Sequence, residues 1–110
     1  MTTQEIEKCI EDNLPDPGEF YIDDNSEYGS IDFKWASEFY DHPTNGKGDN
    51  NLIVSLNIED NTFSIIGFFM DEHGNTDYVI EDIENISSIQ ELSETLNLKI
   101  VQEFAGGLSV

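Results

Sequence analysis

The stretch NLIVSLNIEDNTFSIIGFFM, residues 51–70, decides the fold. In its first half, apolar residues recur at every second position from Leu52 to Ile58, which is the period of a strand with one buried face. The letters EDNT then supply a tight turn. The second half, residues 63–70, is apolar at nearly every position, as expected for a central strand or for one covered on both faces. The stretch therefore predicts a β-hairpin inside a larger sheet.

Shorter patterns on both sides extend this hairpin into a meander. Before it, Ile31, Phe33 and Trp35 alternate with polar residues, and residues 19–23 form another short strand pattern. After it, the turn DEHGN leads into residues 76–80 and makes a second hairpin. We expect four or five strands that are mostly antiparallel.

One helix is predicted on each side of the strands. The first begins at Thr2, where Glu5 completes a capping box, and the second begins at Ser88 with Glu91 in the same spacing. The second helix is expected to end near residue 97 and to be followed by a last strand over residues 98–104. The apolar face of the first helix carries Ile6, Cys9, Ile10 and Leu14.

The order of these elements predicts an α+β class and a single domain over residues 1–110. An antiparallel β-meander carries an N-terminal helix and a C-terminal helix followed by a last strand, with the helices on one sheet face. Residues 41–51 (DHPTNGKGDNN) have the composition of a long, mobile surface loop. Residues 105–110 are expected to form a frayed tail.

Acidity is the strongest functional signal. The chain has 24 acidic residues against four lysines and no arginine, and its formal net charge is -20. Direct binding to nucleic acid is disfavoured, because neutralising phosphates requires Lys or Arg, and binding to an anionic membrane is excluded on the same ground. Strong negative charge instead favours solubility and fast association with cationic partners.

The lone Cys9 cannot form an internal disulfide, which agrees with a reducing compartment. No stretch has the length of a signal-peptide core or of a membrane span. These features predict a cytoplasmic protein.

Candidate metal and cofactor sites are weak. Residues 24–35 resemble part of a calcium-binding EF-hand loop, but Tyr28 and Trp35 stand where the loop needs oxygen ligands. A plain acidic turn fits this segment better. His42 and His73 have no metal-binding spacing, and Cys9 lies on an apolar helix face where burial is expected. We therefore expect no metal site and no cofactor.

An enzyme is not expected either. Pairs of carboxylates are abundant, but a catalytic pair needs groups that orient a substrate, and the chain has few Lys and His and no Arg for that task. A phosphate-binding glycine loop, a nucleophile elbow and a C-x-x-C motif are also missing from the sequence.

The acidic residues form two groups that we predict to bind a partner, together with one aromatic residue that is expected to be exposed, Tyr40. The first group follows the central hairpin and is expected to form one edge. It comprises Asp71, Glu72, Asp77, Glu81, Asp82 and Glu84. The second group lies just after the first helix and comprises Asp16, Glu19, Asp23, Asp24 and Glu27, of which the last three are predicted to bind the partner. The alternative is a solvated surface that serves solubility alone.

In size, acidity, lack of a catalytic motif and order of elements, the chain resembles bacterial immunity proteins that neutralise polymorphic or contact-dependent toxins. The resemblance is one of overall character across the whole chain. It implies an inhibitor whose carboxylates pair with the Lys and Arg of a basic partner, above all a nuclease toxin.

Two alternatives remain open at this point. One is a DNA-mimic inhibitor, of the phage type that blocks restriction, DNA repair or CRISPR enzymes, which would need its charge gathered on one face to approach the charge density of DNA. The other is an acidic scaffold or regulatory domain with no nuclease target.

Overall fold

In the computed structural model, one helix precedes a run of strands along the chain and another helix follows it. The structure describes residues 2–14, 19–42 and 46–99. For residues 37–42, 46, 47, 78, 79, 81 and 99 it describes the backbone alone. The elements are α1 (Thr3–Asn13), β1 (Glu19–Asn25), a 3₁₀ turn (Ser26–Tyr28), β2 (Ser30–His42), β3 (Gly46–Asn57), β4 (Thr62–Asp71), β5 (Thr76–Ile86) and α2 (Ile89–Lys99).

The described strands form one sheet in the order β1-β2-β3-β4-β5, and each strand is antiparallel to the next. The hairpin predicted from residues 51–70 is present, since Leu52 pairs with Gly67, Val54 with Ile65 and Leu56 with Phe63. The α+β meander with a helix on each side is therefore confirmed.

The core lies between the two helices and one face of the sheet. Phe33, Val54 and Ile65 occupy neighbouring positions across β2, β3 and β4 on this face, and each is at most 1% exposed. Helix α1 contributes the residues that its periodicity predicted, and α2 contributes Leu92 and Leu96. Burial of alternate strand residues under amphipathic helices is what holds the two layers together.

Both predicted capping positions are used, one fully and one in part. At α1, Thr2 Oγ1 accepts from Glu5 N at 3.2 Å and Glu5 Oε1 accepts from Thr2 N at 3.3 Å, which completes the box. At α2, Glu91 N donates to Ser88 Oγ at 3.1 Å. The Glu91 carboxylate accepts from Ser87 N at 3.2 Å, one residue before the expected donor.

The predicted loop over residues 41–51 is wrong over most of its length. Strand β2 runs to His42 and β3 begins at Gly46, so that Asn50 pairs with Ser37 on one side and Phe69 on the other. Neighbouring strands on both sides satisfy the backbone here, which outweighs the low strand propensity of Asn and Gly. Residues 43–45 and the predicted tail, 105–110, lie outside the described residues.

The predicted last strand is also corrected at its start. Helix α2 continues to Lys99, so Leu98 and Lys99 are helical, and residues 100–104 lie outside the described part of the chain. The helix predicted from the spacing of Ile89, Leu92 and Leu96 is thus about half a turn longer than expected. Neither described helix has the length and apolar character that crossing a bilayer requires.

Strand β4, which is apolar on both faces, is an internal strand as predicted, flanked by β3 and β5. Its burial alternates: Phe63 and Ile65 belong to the core beneath the helices and Phe69 is buried on the same face, whereas Ile66 and Phe68 are only partly buried. Among the described residues, no helix covers the second face. We call this second side of β1 to β4 the open face.

Candidate partner-binding surface

The acidic charge covers the protein on all sides. Dividing the accessible surface of 6515 Å² by the net charge of -20 gives about 330 Å² per charge. Duplex DNA, taken as a cylinder about 20 Å across, carries a charge on about every 100 Å² of its surface. Acids also lie on α1 and α2, away from the sheet edges, for example Glu7, Glu11 and Glu94. The charge thus spreads over both layers of the fold.

The two predicted groups of acids lie on opposite sides of the five described strands, one at β5 and the other at β1. Asp71 and Glu72 lie at the turn between β4 and β5, and Asp77, Glu81, Asp82 and Glu84 follow along β5. Asp23, Asp24 and Glu27 lie at the end of β1 and in the 3₁₀ turn. Four strand spacings of about 4.8 Å separate β1 from β5, or roughly 19 Å. The structure therefore does not bring the two groups together into one patch.

The aromatic residues near these acids differ in exposure. Tyr28 is 83% exposed and Tyr21 is 48% exposed. Tyr40 lies within β2 rather than beside a long loop, and its side chain is outside what the structure describes.

Two acids of the predicted groups hold turns. Asp71 Oδ1 accepts from the backbone N–H of Asn75 at 2.8 Å and of His73 at 2.9 Å, while Asp71 Oδ2 accepts from Asn75 Nδ2 at 3.0 Å. Hydrogen bonding from Asn75, first from its side chain and then from its backbone, lowers the pKa of the Asp71 carboxyl. Asp24 Oδ1 accepts from Ser26 N at 2.9 Å, and the bonds from Ser26 lower the pKa of Asp24.

We expect Asp71→Ala to destabilise the protein at pH 7 but not in strong acid. The folded-state pKa of Asp71 is depressed, so its contribution is fully present above the unfolded-state pKa of about 3.9 and is lost as the pH falls through the folded-state pKa. Urea unfolding of both proteins at pH 7 and near pH 2.5 measures this difference. The neighbouring Glu72→Ala serves as the control, and an equal deficit of Asp71→Ala at both pH values would contradict the assignment.

Lys34 is the one basic side chain on the open face among the residues described there. Its Nζ lies 3.3 Å from Asp23 Oδ2 and 5.7 Å from the centre of the Tyr21 ring. Asp23 pairs directly with Asp32 across β1 and β2, which places two carboxylates opposite each other. The hydrogen bond to Asp23, with the charges of Tyr21, Asp23 and Asp32 nearby, raises the pKa of Lys34. Lys34 therefore offsets a like-charge pair that would otherwise repel.

A polar pocket of about 390 Å³ lies where the open face meets the ends of the strands. Hydroxyl and amide groups dominate its lining, which also includes the carboxylates of Asp60 and Glu84. Asn85 beside Glu84 has a φ of 64°, within a β5 strand whose register shifts against β4. The polar lining comprises Tyr28, Ser30, Ser55, Asn57, Asp60, Thr62, Ser64, Glu84 and Asn85.

A second, smaller hollow lies farther along the same face. It measures about 250 Å³ and is bordered by Tyr21, Lys34, Ile53 and Phe68. Sequence reasoning missed both hollows, although the apolar residues on both sides of β4 were a visible signal for the second one. Of the predicted partner-binding residues, only Glu84 borders either hollow.

The weaker candidates take ordinary structural positions. Residues 24–35, which resemble a calcium loop in part, form the end of β1, the 3₁₀ turn and the start of β2. Cys9 is 8% exposed and burial raises the pKa of its thiol, so the expected core position is confirmed. His73 is exposed, with Nε2 3.7 Å from Glu72 Oε1. Within the described residues, no three His, Cys, Asp or Glu side chains group so as to hold a metal ion.

Comparison with known proteins gives no relative: the chain matches no protein family, no curated protein and no solved structure.

Proposed function

We propose that this protein is a cytoplasmic inhibitor of the immunity type, which binds and neutralises a basic partner protein, above all a nuclease toxin. The observation that carries the proposal is the excess of carboxylates. Four lysines face 24 acids, so complete internal pairing would still leave 20 acids without a base. Two of those lysines, Lys8 and Lys34, already pair with Asp12 and Asp23 at 3.3 Å.

The charge acts first at long range. A net charge of -20 spread over both layers attracts a cationic protein from any direction and raises the rate of encounter. A nuclease holds its phosphate substrate with Lys and Arg, and carboxylates that pair with those residues would exclude the nucleic acid. Inhibition in this form requires no catalytic group in the inhibitor.

The proposal is tested by capture and titration. The tagged protein is used to capture partners from an extract of its own host, each captured protein is identified and purified, and its affinity is measured by calorimetry in 50 and 500 mM NaCl. We expect a basic partner whose affinity falls roughly tenfold or more between the two salts, because exposed charge pairs are screened. Its nuclease activity should be lost at equimolar inhibitor.

A matched control uses Glu7 and Glu11 of α1, which lie outside the capping box and the Lys8–Asp12 ion pair, replaced together by Gln. These changes should slow association while leaving the dissociation rate nearly unchanged, since α1 contributes to steering alone. Affinity that does not respond to salt, or a captured partner that is itself acidic, would contradict the proposal. A basic DNA-handling enzyme that is not a toxin would point to the DNA-mimic alternative.

A further inference from the structure

The open face has an apolar centre whose middle residues, Ile53, Ile66 and Phe68, are partly exposed to solvent. Ile53 and Ile66 are directly paired across β3 and β4, and Tyr21 and Lys34 continue the same row across β1 and β2. Phe68 and Met70 follow two and four positions along β4 on the same side, with Met70 39% exposed. Alternation puts every one of these residues opposite the helix layer.

Exposed single apolar residues are common, but a contiguous group surrounded by polar residues is characteristic of a contact surface. Protein interfaces have an apolar core, enriched in aromatic residues and Met, within a polar rim. Tyr21, Phe68 and Met70 supply such residues here.

The rim of the open face is acidic. Asp23 and Asp32 border the apolar centre on one side, and Glu19 and Asp49 lie at the other end of the same alternating rows. Asp60 and Glu84 stand on the polar pocket beyond Ser55 and Ser64, which belong to the open face. The only base described on this face, Lys34, is already paired with Asp23.

We propose that the open face is the contact surface for the partner, and that the partner meets it with apolar side chains at the centre and Lys or Arg at the rim. One of these basic side chains enters the polar pocket between Asp60 and Glu84. This inference rests on the proposed function, because it gives the location at which a basic partner docks. Charge complementarity selects this occupant over a second copy, whose identical acidic rim would face like charges.

The open face thereby replaces the β4–β5 turn and strand β5 as the main docking site. Asp71 is occupied in holding its turn, and the acids of β5 lie along a strand whose register against β4 is irregular. Glu84 is the exception, because it stands on the pocket.

Two synthetic peptides of equal positive charge provide the probe. The first is an 18-residue amphipathic peptide with a stripe of Leu flanked by Lys and Arg, and the second replaces the stripe by Ser and Gln. Each is titrated into the full ¹⁵N-labelled protein in 50 and 300 mM NaCl. We expect the first peptide to bind at least about tenfold more tightly and to retain its advantage in high salt, since apolar contact is not screened. Amide shifts should centre on Ile53, Ile66 and Phe68.

Variants test the two parts of the surface separately. The double variant Ile53→Ser and Ile66→Ser should weaken the first peptide about tenfold and leave the second unchanged, with Ile58→Ser, an exposed residue in the β3–β4 turn, as the matched control. Asp60→Asn with Glu84→Gln should weaken both peptides, and Glu7→Gln with Glu11→Gln is its control. The amide spectrum of each variant verifies that the protein is folded.

Other outcomes would contradict the open face as the docking site, the proposed function, or a basic partner as the occupant. Equal affinity for the two peptides, or amide shifts centred on residues 71–84, would overturn the open face as the docking site and leave the proposed function standing. Failure of both peptides to bind in 50 mM NaCl would contradict the proposed function itself. Self-association in sedimentation, or contacts between residues 100–110 and Ile53 in the free protein, would assign the open face to a second copy or to the chain's own end.

Discussion

Phe33→Ala is expected to lower the free energy of unfolding by about 3–5 kcal/mol, the usual cost of removing a buried aromatic ring and leaving a cavity. Phe33 is 1% exposed and lies between Ile22 and Val54 on the helix-covered face of the sheet. Because a domain of this size has a free energy of unfolding of about 5–15 kcal/mol, the substitution removes a large part of its stability and raises the unfolded fraction. Urea unfolding followed by far-ultraviolet circular dichroism measures the change.

The variant Phe33→Leu shows whether the loss of stability comes from the cavity or from the loss of the aromatic ring. Leucine fills part of the same space, and we expect it to cost less than about 1.5 kcal/mol. A loss below about 1 kcal/mol for the alanine variant would show that Phe33 does not lie in the core.

Gly48→Ala is the second large effect, and its cause is steric. A Cβ atom at Gly48 would lie 2.6 Å from Phe69 Cζ and 2.8 Å from Asp71 Cα, and against the carbonyl oxygen of Met70. Two of these neighbours are backbone atoms of the adjacent strand, which cannot move aside without breaking the pairing of β3 with β4. We expect a cost of about 3 kcal/mol, at the upper end of the range for overpacking.

Gly74→Ala is the comparison that isolates this steric effect. Gly74 has a φ of 83°, but a Cβ atom added there would meet nothing within 4 Å, so only backbone strain of about 1 kcal/mol opposes alanine. Chemical denaturation of both variants gives the two costs. Equal costs would mean that the strands are farther apart near Gly48 than the structure places them.

Periodicity predicted the fold where side chains alternate without interruption. The alternation of Leu52, Val54 and Leu56 specified one strand face, and the spacing of Thr2 and Glu5 specified where α1 begins. Ile58 continues the pattern in sequence but lies in the turn after β3, where it is 42% exposed. Composition misled at residues 46–51, because Asn and Gly favour loops locally and only pairing with strands on both sides overrides that preference. Leu98 is apolar but 54% exposed at the end of α2. The short apolar pattern that begins at Leu98 fits a strand as well as a helix, so it did not show where α2 ends.

The candidate surface was harder to predict for a different reason. Residue types alone indicate that acids dominate, but they do not show which acids are engaged within the fold. The letters D-x-S at Asp24 and the turn after Asp71 carried a signal, because Asp side chains often bond to backbone two residues ahead. Finding the open face requires the register that places Ile53 beside Ile66, which a single sequence does not contain.

The acids at the two outer strands have a further consequence, for aggregation. An edge strand offers unpaired backbone groups on which another chain can add a strand, and charge and bulges on the edge prevent this. Strand β5 shifts register three times against β4 and carries Asp77, Asp82 and Glu84, while β1 carries Asp23 and Asp24. Acids that are too far apart to form one docking patch thus disfavour the addition of another chain to β1 or β5, the outermost of the described strands. This protection depends on ionised carboxylates and weakens as the pH approaches the isoelectric point of about 4.1.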